Sequence, residues 1–328
     1  MKKNLAVLLL FAALLYAGPC AWGQELQLSD IPGSGTAPRL VRDLPVSSEV
    51  RSALQKALDA RDFAGAETIL VKEIDRNPKS AQLLTLAGGV FFLDGKHLNC
   101  AIALKKADVL TPLDDGSRFT LAMAYITLNH RGWARPELQK LAEAEPRNPT
   151  YPYWLGRIDY DGMQFKEAEA HFQKTLNLDA GFMRAYDNLG LTYEALGQYD
   201  DAERVYKQAV VLNRQAKQPS PWPALNLGAL LFKLGQLGEA EFYLEESLRY
   251  DPRFPKAHYQ MGLLLEKEKK DQEATRELSL AIKNDPTYAE PHYALGRIYQ
   301  RTGNRQAADG EFQVFQKLKR DQHPQRPT

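Results

Sequence analysis

The segment MRAYDNLGLTYEALGQYDDAERVYKQAVVLNRQA, residues 183–216, decides the fold. Tyr186, Leu189, Gly190 and Tyr193 recur at three- and four-residue steps, so they line one face of a helix. Gly197 breaks that helix, and Ala202, Tyr206 and Ala209 restart the stripe on a second one. The segment therefore reads as a helix-turn-helix hairpin. Small residues at Gly190 and Ala202 let the two axes approach closely, and the aromatic rings fill the volume that remains.

Outward from this hairpin the glycine recurs, at Gly88, Gly156, Gly228, Gly262 and Gly296. Steps of 34 residues connect Gly156 to Gly190, Gly228 to Gly262 and Gly262 to Gly296, while 38 separate Gly190 from Gly228. A period of this length marks stacked structural repeats. Eight units fit, starting at Ser47, Ala81, Asp115, Pro149, Met183, Pro221, Pro255 and Ala289. The four extra residues, Gln218 to Pro221, fall between the fifth and sixth units and read as a longer surface loop, with a slight change of superhelical pitch or a docking edge at Trp222 as the alternative. Pro78, Pro112, Pro146, Pro252 and Pro286 close their units, because proline lacks an N–H and pushes its predecessor out of the helical region. Ala180 and Arg214 stand at that place in two units. One hairpin cannot bury both its stripes, so stability has to come from stacking on neighbours.

Spacing and residue types resemble the tetratricopeptide repeat family, whose 34-residue unit places an aromatic, Leu-Gly, Tyr, Ala, Phe, Ala and Pro in a set order. Asp187-Asn188-Leu189-Gly190 through Tyr193, Gly197, Ala202, Tyr206 and Ala209 follow that order most closely; Leu295-Gly296, Tyr299, Gly303, Ala308 and Phe312 follow it nearly as well. The unit from Ser47 has Leu54 for the glycine and Ala57 for the tyrosine, so its first helix has the least pattern behind it.

The resemblance implies an all-α fold, a right-handed superhelical solenoid of about eight helix-turn-helix repeats whose first helices line a concave groove. Carried over position by position, it places Phe92, Phe119, Met123, Tyr153, Arg157, Tyr160, Asp187, Glu194, Phe232, Tyr259, Tyr293 and Arg297 on the groove wall. Aromatic rings give large contact area at small rotamer cost, and the interspersed charges would orient a bound peptide. About half of these rings are expected to be only partly exposed, tucked against neighbouring helices. The lysine and asparagine clamp with which some members hold a C-terminal carboxylate is missing, since its positions hold Asp187, Leu191 and Leu225. Asn188 and Asn226 read instead as buried or half-buried hydrogen-bonding residues.

Composition agrees with an all-helical chain. Only 19 of 328 residues are valine or isoleucine, too few for a large sheet. The 42 Lys+Arg against 41 Asp+Glu leave no bulk basic field for a nucleic acid. No phosphate loop, paired-histidine metalloprotease helix, nucleophile elbow or paired-cysteine metal spacing occurs, so no enzyme, cofactor or metal is expected. His258 and His292 are 34 residues apart and occupy equivalent places, where packing is a better reading than a two-ligand metal site.

Lys2 and Lys3 ahead of an apolar run from Leu5 to Ala17 read as an export signal over residues 1–23. A lipid anchor at Cys20 is disfavoured by Pro19, and an uncleaved anchor remains an alternative. Proline- and glycine-containing residues 24–46 read as a flexible linker, residues 47–322 as the solenoid and residues 323–328 as a disordered tail. With the signal removed, Cys100 is left alone among apolar neighbours as a buried thiol, and no transmembrane span remains in the mature chain. Phe312, Phe315 and Leu318 line the last helix; packing back onto the first helix of the same unit accounts for Phe312 and Phe315, and weak self-association is expected through what stays exposed. The expected function is a periplasmic or secreted, bacterial protein-protein interaction scaffold that takes a protein or peptide ligand in envelope assembly or secretion. The alternatives are a spacer subunit of an envelope complex and an accessory to a glycan or cell-wall enzyme, with saccharide stacked on Tyr153, Tyr160 and Tyr293.

Overall fold

A computed structural model describes residues 41–322, so the expected export signal, most of the linker and the tail lie outside the described residues. Sixteen helices follow Ser47. They are α1 (Ser48–Asp59), α2 (Phe63–Arg76), α3 (Ala81–Leu93), α4 (His97–Leu110), α5 (Asp115–Thr127), α6 (Arg131–Ala144), α7 (Thr150–Asp161) and α8 (Phe165–Leu178). The rest are α9 (Met183–Ala195), α10 (Tyr199–Gln215), α11 (Trp222–Leu234), α12 (Leu237–Tyr250), α13 (Pro255–Lys267), α14 (Asp271–Asn284), α15 (Ala289–Arg301) and α16 (Arg305–Gln322). Odd and even helices pair as eight antiparallel hairpins, in keeping with the period. Two compact units divide the chain between Asp179 and Ala180, each with four hairpins.

Every hairpin turns by the same device. A left-handed residue follows the first helix, at Arg61, Gly95, Asn129, Met163, Gly197, Gly235, Lys269 and Gly303. The next residue then donates its N–H back across the turn, as Gln198 does to the Tyr193 carbonyl at 2.8 Å and Lys270 to that of Leu265 at 2.9 Å. This closure satisfies carbonyls that the helix end would leave orphaned. Glycine takes the left-handed conformation without penalty, whereas a side chain with a Cβ is strained there by about 1–2 kcal/mol. Met163, at φ 59° and 70% exposed, bears that strain with no packing to offset it. Met163→Gly is accordingly expected to stabilise the first unit by about 1 kcal/mol, read as a shift of the urea midpoint; an unchanged or lower midpoint would contradict this account of the turn.

Within a hairpin, the small residue of the first helix faces a large one sixteen positions later. A Cβ at Gly190 would lie 2.3 Å from the Tyr206 ring, one at Gly296 2.5 Å from Phe312, and one at Gly88 2.5 Å from Leu104. Between hairpins the first helices touch one another, α3 with α5 in the first unit and α11 with α13 and α13 with α15 in the second. They form the buried layer: α7 buries Tyr151 through Asp159 without a break, while α8 buries only Ala168, Phe172 and Thr175. The second helices are the outer layer.

Two expectations need correcting. Val41 and Leu44, inside the segment read as flexible linker, are buried, and Arg51 Nη2 donates to the carbonyls of Leu44 at 3.0 Å and Val46 at 3.2 Å, so the segment's last residues are packed. The insertion, read first as a surface loop, also lengthens α10 to 17 residues against 14 in α8 and α12. Asn213 closes the connection by bonding both the N–H and the carbonyl of Ser220 at 2.8 Å. Trp222 is half-buried on Phe254, ring centroids 5.0 Å apart, with Lys256 above it, which ties it to the joint rather than to a docking edge. Arg214, at a missing proline's place, grips the buried Glu246 of the next hairpin with Nε at 2.8 Å and Nη2 at 2.5 Å. Those bonds, against the opposing cost of burial, hold the Glu246 carboxyl below the usual range.

Candidate functional site

The twelve residues assigned to a groove wall divide by exposure. Phe119, Met123, Tyr153, Arg157 and Asp187 are buried, and this corrects their assignment to an open wall. Phe119 packs toward Tyr151 of the following hairpin at 6.0 Å, and Tyr153 contacts the rings of Trp154 at 5.5 Å and Phe172 at 6.0 Å. Arg157 Nη1 donates to the Tyr153 hydroxyl at 3.3 Å and its guanidinium lies over the Trp154 ring. Asp187 accepts from Asn226 Nδ2 at 3.4 Å. Helices α5, α7 and α9 thus spend these side chains on the core, and the burial of Tyr153 removes one of the three rings proposed for saccharide stacking. Phe92 and Tyr160 are half-buried, each against a ring of its own second helix, His97 at 5.1 Å and Phe165 at 5.5 Å.

The second unit keeps an accessible first-helix face. Glu194, Phe232 and Tyr259 are half-buried, and Tyr293 and Arg297 are exposed. Tyr293 rests on Phe312 and Phe315 at 5.6 and 5.2 Å, which props its ring upright and also covers part of the C-terminal apolar stripe. Tyr259 is braced by Tyr288 at 5.3 Å. The charges between the rings are fixed as well. Glu266 accepts from Arg297 at 2.7 Å and from Arg301 at 3.3 Å. Glu194 accepts from the Tyr206 hydroxyl at 2.9 Å and pairs with Lys233 at 3.5 Å. Burial raises the Glu194 carboxyl above its ordinary range, outweighing Lys233 and the Tyr206 bond, which pull it down. Lys233 and Lys267 sit over Tyr199 and Phe232 at 4.5 and 5.2 Å. The face therefore presents rigid rings separated by oriented charges, and it offers complementarity to an extended or helical segment with apolar anchors.

Spacing alone did not reveal the polar bridges across the hairpins. Arg118, His258 and His292 occupy one place in their units and each meets a glutamate nineteen residues on: Glu137 at 2.7 Å, Glu277 at 2.7 Å and Glu311 at 2.6 Å. The equivalent histidines are thus interhelical struts. His258 also places Nε2 3.1 Å from the Pro252 carbonyl. Burial works against its charge, yet the Glu277 and Pro252 bonds and the field of Asp251 raise the imidazole above its usual range. In the first unit the buried Asp159 is held by Arg135 and by His171 Nδ1, the latter at 2.6 Å. The signal that could have found these struts is the recurrence of Arg118–Glu137, His258–Glu277 and His292–Glu311 at one spacing. Cys100 is buried as expected, and burial pushes its thiol up to about 12. Among the described residues no cluster of three or more His, Cys, Asp or Glu is arranged to hold a metal, and no helix is long and apolar enough to cross a membrane.

Comparison with known proteins agrees with this architecture. Residues 181–253 and 225–289 match two tetratricopeptide repeat models. The chain is similar to the type IV pilus assembly protein PilF of Pseudomonas aeruginosa, with 25% identity over 156 residues, covering 46% of this chain and 59% of that protein. A 79-residue stretch is 39% identical to the protein O-mannosyl-transferase tmtc2 of Xenopus laevis, covering 24% of this chain and 9% of that one. The chain thus spans less than two thirds of either relative's length. A tetratricopeptide repeat protein from Parabacteroides merdae superposes with a TM-score of 0.63 at 17% identity, over 79% of this chain and 99% of that one. With eight paired hairpins, one turn closure throughout and repeat matches over residues 181–289, each of the two units is an all-α stack of helix-turn-helix hairpins with the tetratricopeptide repeat fold.

Proposed function

We propose that the chain is a non-catalytic scaffold that binds a protein or peptide segment along the first-helix face of its second unit, working in a bacterial envelope assembly process outside the cytoplasm. The repeat fold supports protein-protein interaction as the class of work. The observation that carries the finer reading is the set of braced, accessible rings at Phe232, Tyr259 and Tyr293, interleaved with the fixed charges of Glu266 and Arg297. The type IV pilus assembly role in the name of PilF supports the envelope attribution. The Lys2-Lys3 apolar leader supports export.

The test is selection of a random dodecapeptide phage library on the full chain, followed by titration of the recovered peptides against Tyr259→Ala/Arg297→Ala. Peptides with two or three spaced apolar anchors are expected, and the double variant should weaken them about tenfold or more, the loss of one anchor and one oriented charge. Selected peptides that bind both proteins equally, or no enrichment, would remove this reading.

A further inference from the structure

The outer helices of the first unit carry lysine at one repeating place. Lys72, Lys106, Lys140 and Lys174 follow one another at intervals of 34 residues, and all four are exposed. The same place in the second unit holds Gln208, Glu246, Leu280 and Val314, so the ladder belongs to the first unit alone. Lys140 bonds Glu137 at 3.3 Å; among the described residues Lys72, Lys106 and Lys174 have no carboxylate partner. The nearest exposed carboxylates along α2 and α6, Asp75 and Glu143, stand about one turn further on.

An apolar ridge crosses this ladder. On α4, Leu98, Ile102 and Val109 are 59%, 48% and 84% exposed. At helical pitch they fall within about 40° of arc, with Lys105 on one side and Lys106 on the other. The chain supplies its own control for how unusual this is. Where α4 has Leu98, α14 and α16 have Gln272 and Gln306; where it has Ile102, α10 and α14 have Arg204 and Arg276; where it has Val109, α14 and α16 have Lys283 and Lys317; Phe242 on α12 and Val211 on α10 are exposed at two of these places, each alone on its helix, so all three are apolar on α4 only. These places need no apolar side chain for stacking.

We propose that this outer face rests on an anionic lipid surface, with Leu98, Ile102 and Val109 entering the headgroup boundary and the lysine ladder meeting the headgroup charges. Three alternatives fit less well. Antiparallel self-pairing through the ridge would bring Lys105 and Lys106 of two copies together near the two-fold axis, like charge against like. A partner helix seats its apolar stripe in a groove, and here the apolar side chains protrude from an outer helix. A nucleic acid would use the lysines and leave the aliphatic ridge in water. A ridge of aliphatic side chains bordered by lysine is the pattern that an interfacial helix presents to a bilayer. The proposal uses neither the residues nor the unit of the peptide-binding reading, so either can fail alone.

The test is vesicle flotation of the full chain at low ionic strength, with phosphatidylcholine alone and with equal parts of phosphatidylcholine and phosphatidylglycerol. Two variants are compared with the wild type, K72E/K106E/K174E and L98Q/I102R/V109K. The second substitutes residues that the chain already uses at those places and adds two positive charges, so weaker binding by it reports the ridge and not electrostatics. Binding is expected to the phosphatidylglycerol vesicles only, and each variant should lower it about tenfold, with circular dichroism unchanged. Residues 1–40, with their apolar run from Leu5 to Ala17, are common to all three proteins, so the quantity compared is the excess of binding to phosphatidylglycerol vesicles over neutral ones. Equal binding by either variant, equal binding of the wild type to neutral vesicles, or retention by soluble polyglutamate without vesicle binding would overturn the proposal.

Discussion

Gly190→Ala is expected to destabilise the second unit by about 3 kcal/mol, toward the upper end of what overpacking a core costs. A Cβ there would meet three atoms of the Tyr206 ring between 2.3 and 2.6 Å, and that ring is fully buried. Tyr206 cannot swing aside cheaply, because its hydroxyl donates to Glu194 at 2.9 Å and leaving it would strip a partner from a poorly hydrated carboxylate. The two helices must therefore separate. Gly310→Ala is the matched control: it too lies within a helix, but nothing is within 4 Å of its Cβ position. Relief of backbone entropy should make Gly310→Ala neutral or stabilising by up to about 1 kcal/mol. Urea unfolding followed by helical circular dichroism reads both. Similar midpoints for the two variants would refute the close helix approach at Gly190.

Asp159→Ala is expected to cost the first unit about 3–5 kcal/mol, the loss that follows when one member of a buried ion pair is removed. Asp159 is wholly buried and joins three elements: its own α7, the preceding hairpin through Arg135 and its own second helix through His171. Arg135 and His171 are 30% and 31% exposed, so water relieves part of their loss. For that reason Asp159→Ala should be worse than Arg135→Ala, which leaves the carboxylate one partner. A double-mutant cycle between the two sites measures the coupling. A cycle that closes to zero would show that Arg135 and Asp159 do not act together.

The hairpins were legible because two independent local rules, apolar periodicity and small residues opposite rings, point to the same pairing at Gly190–Tyr206 and Gly296–Phe312. The helix α1 formed despite Leu54 and Ala57 because Ser47 caps it, its hydroxyl accepting from Val50 N–H at 3.3 Å. The wall residues were legible only in part. A pattern of positions states which way a side chain leaves its helix but not what stands opposite, and opposite Phe119 stands Tyr151. Arg157 shows the same limit for charge: its periodic place suggested an open guanidinium, while tertiary packing turned it onto Tyr153 and Trp154. Bridges such as His258–Glu277 escaped because neither partner is apolar, and periodicity of hydrophobic residues is blind to them.

The joint at Arg214 differs in kind from those closed by proline. Proline removes a backbone donor in any state of the chain, folded or not, whereas Arg214, in the last turn of α10, ties its unit to the next by holding Glu246, which is in place only once α12 has docked. Under tension applied from the carboxyl end, the sixth hairpin therefore leaves only by breaking the Arg214–Glu246 pair. That joint carries load through two charge-assisted bonds in addition to stacking, where a proline joint carries it through stacking alone.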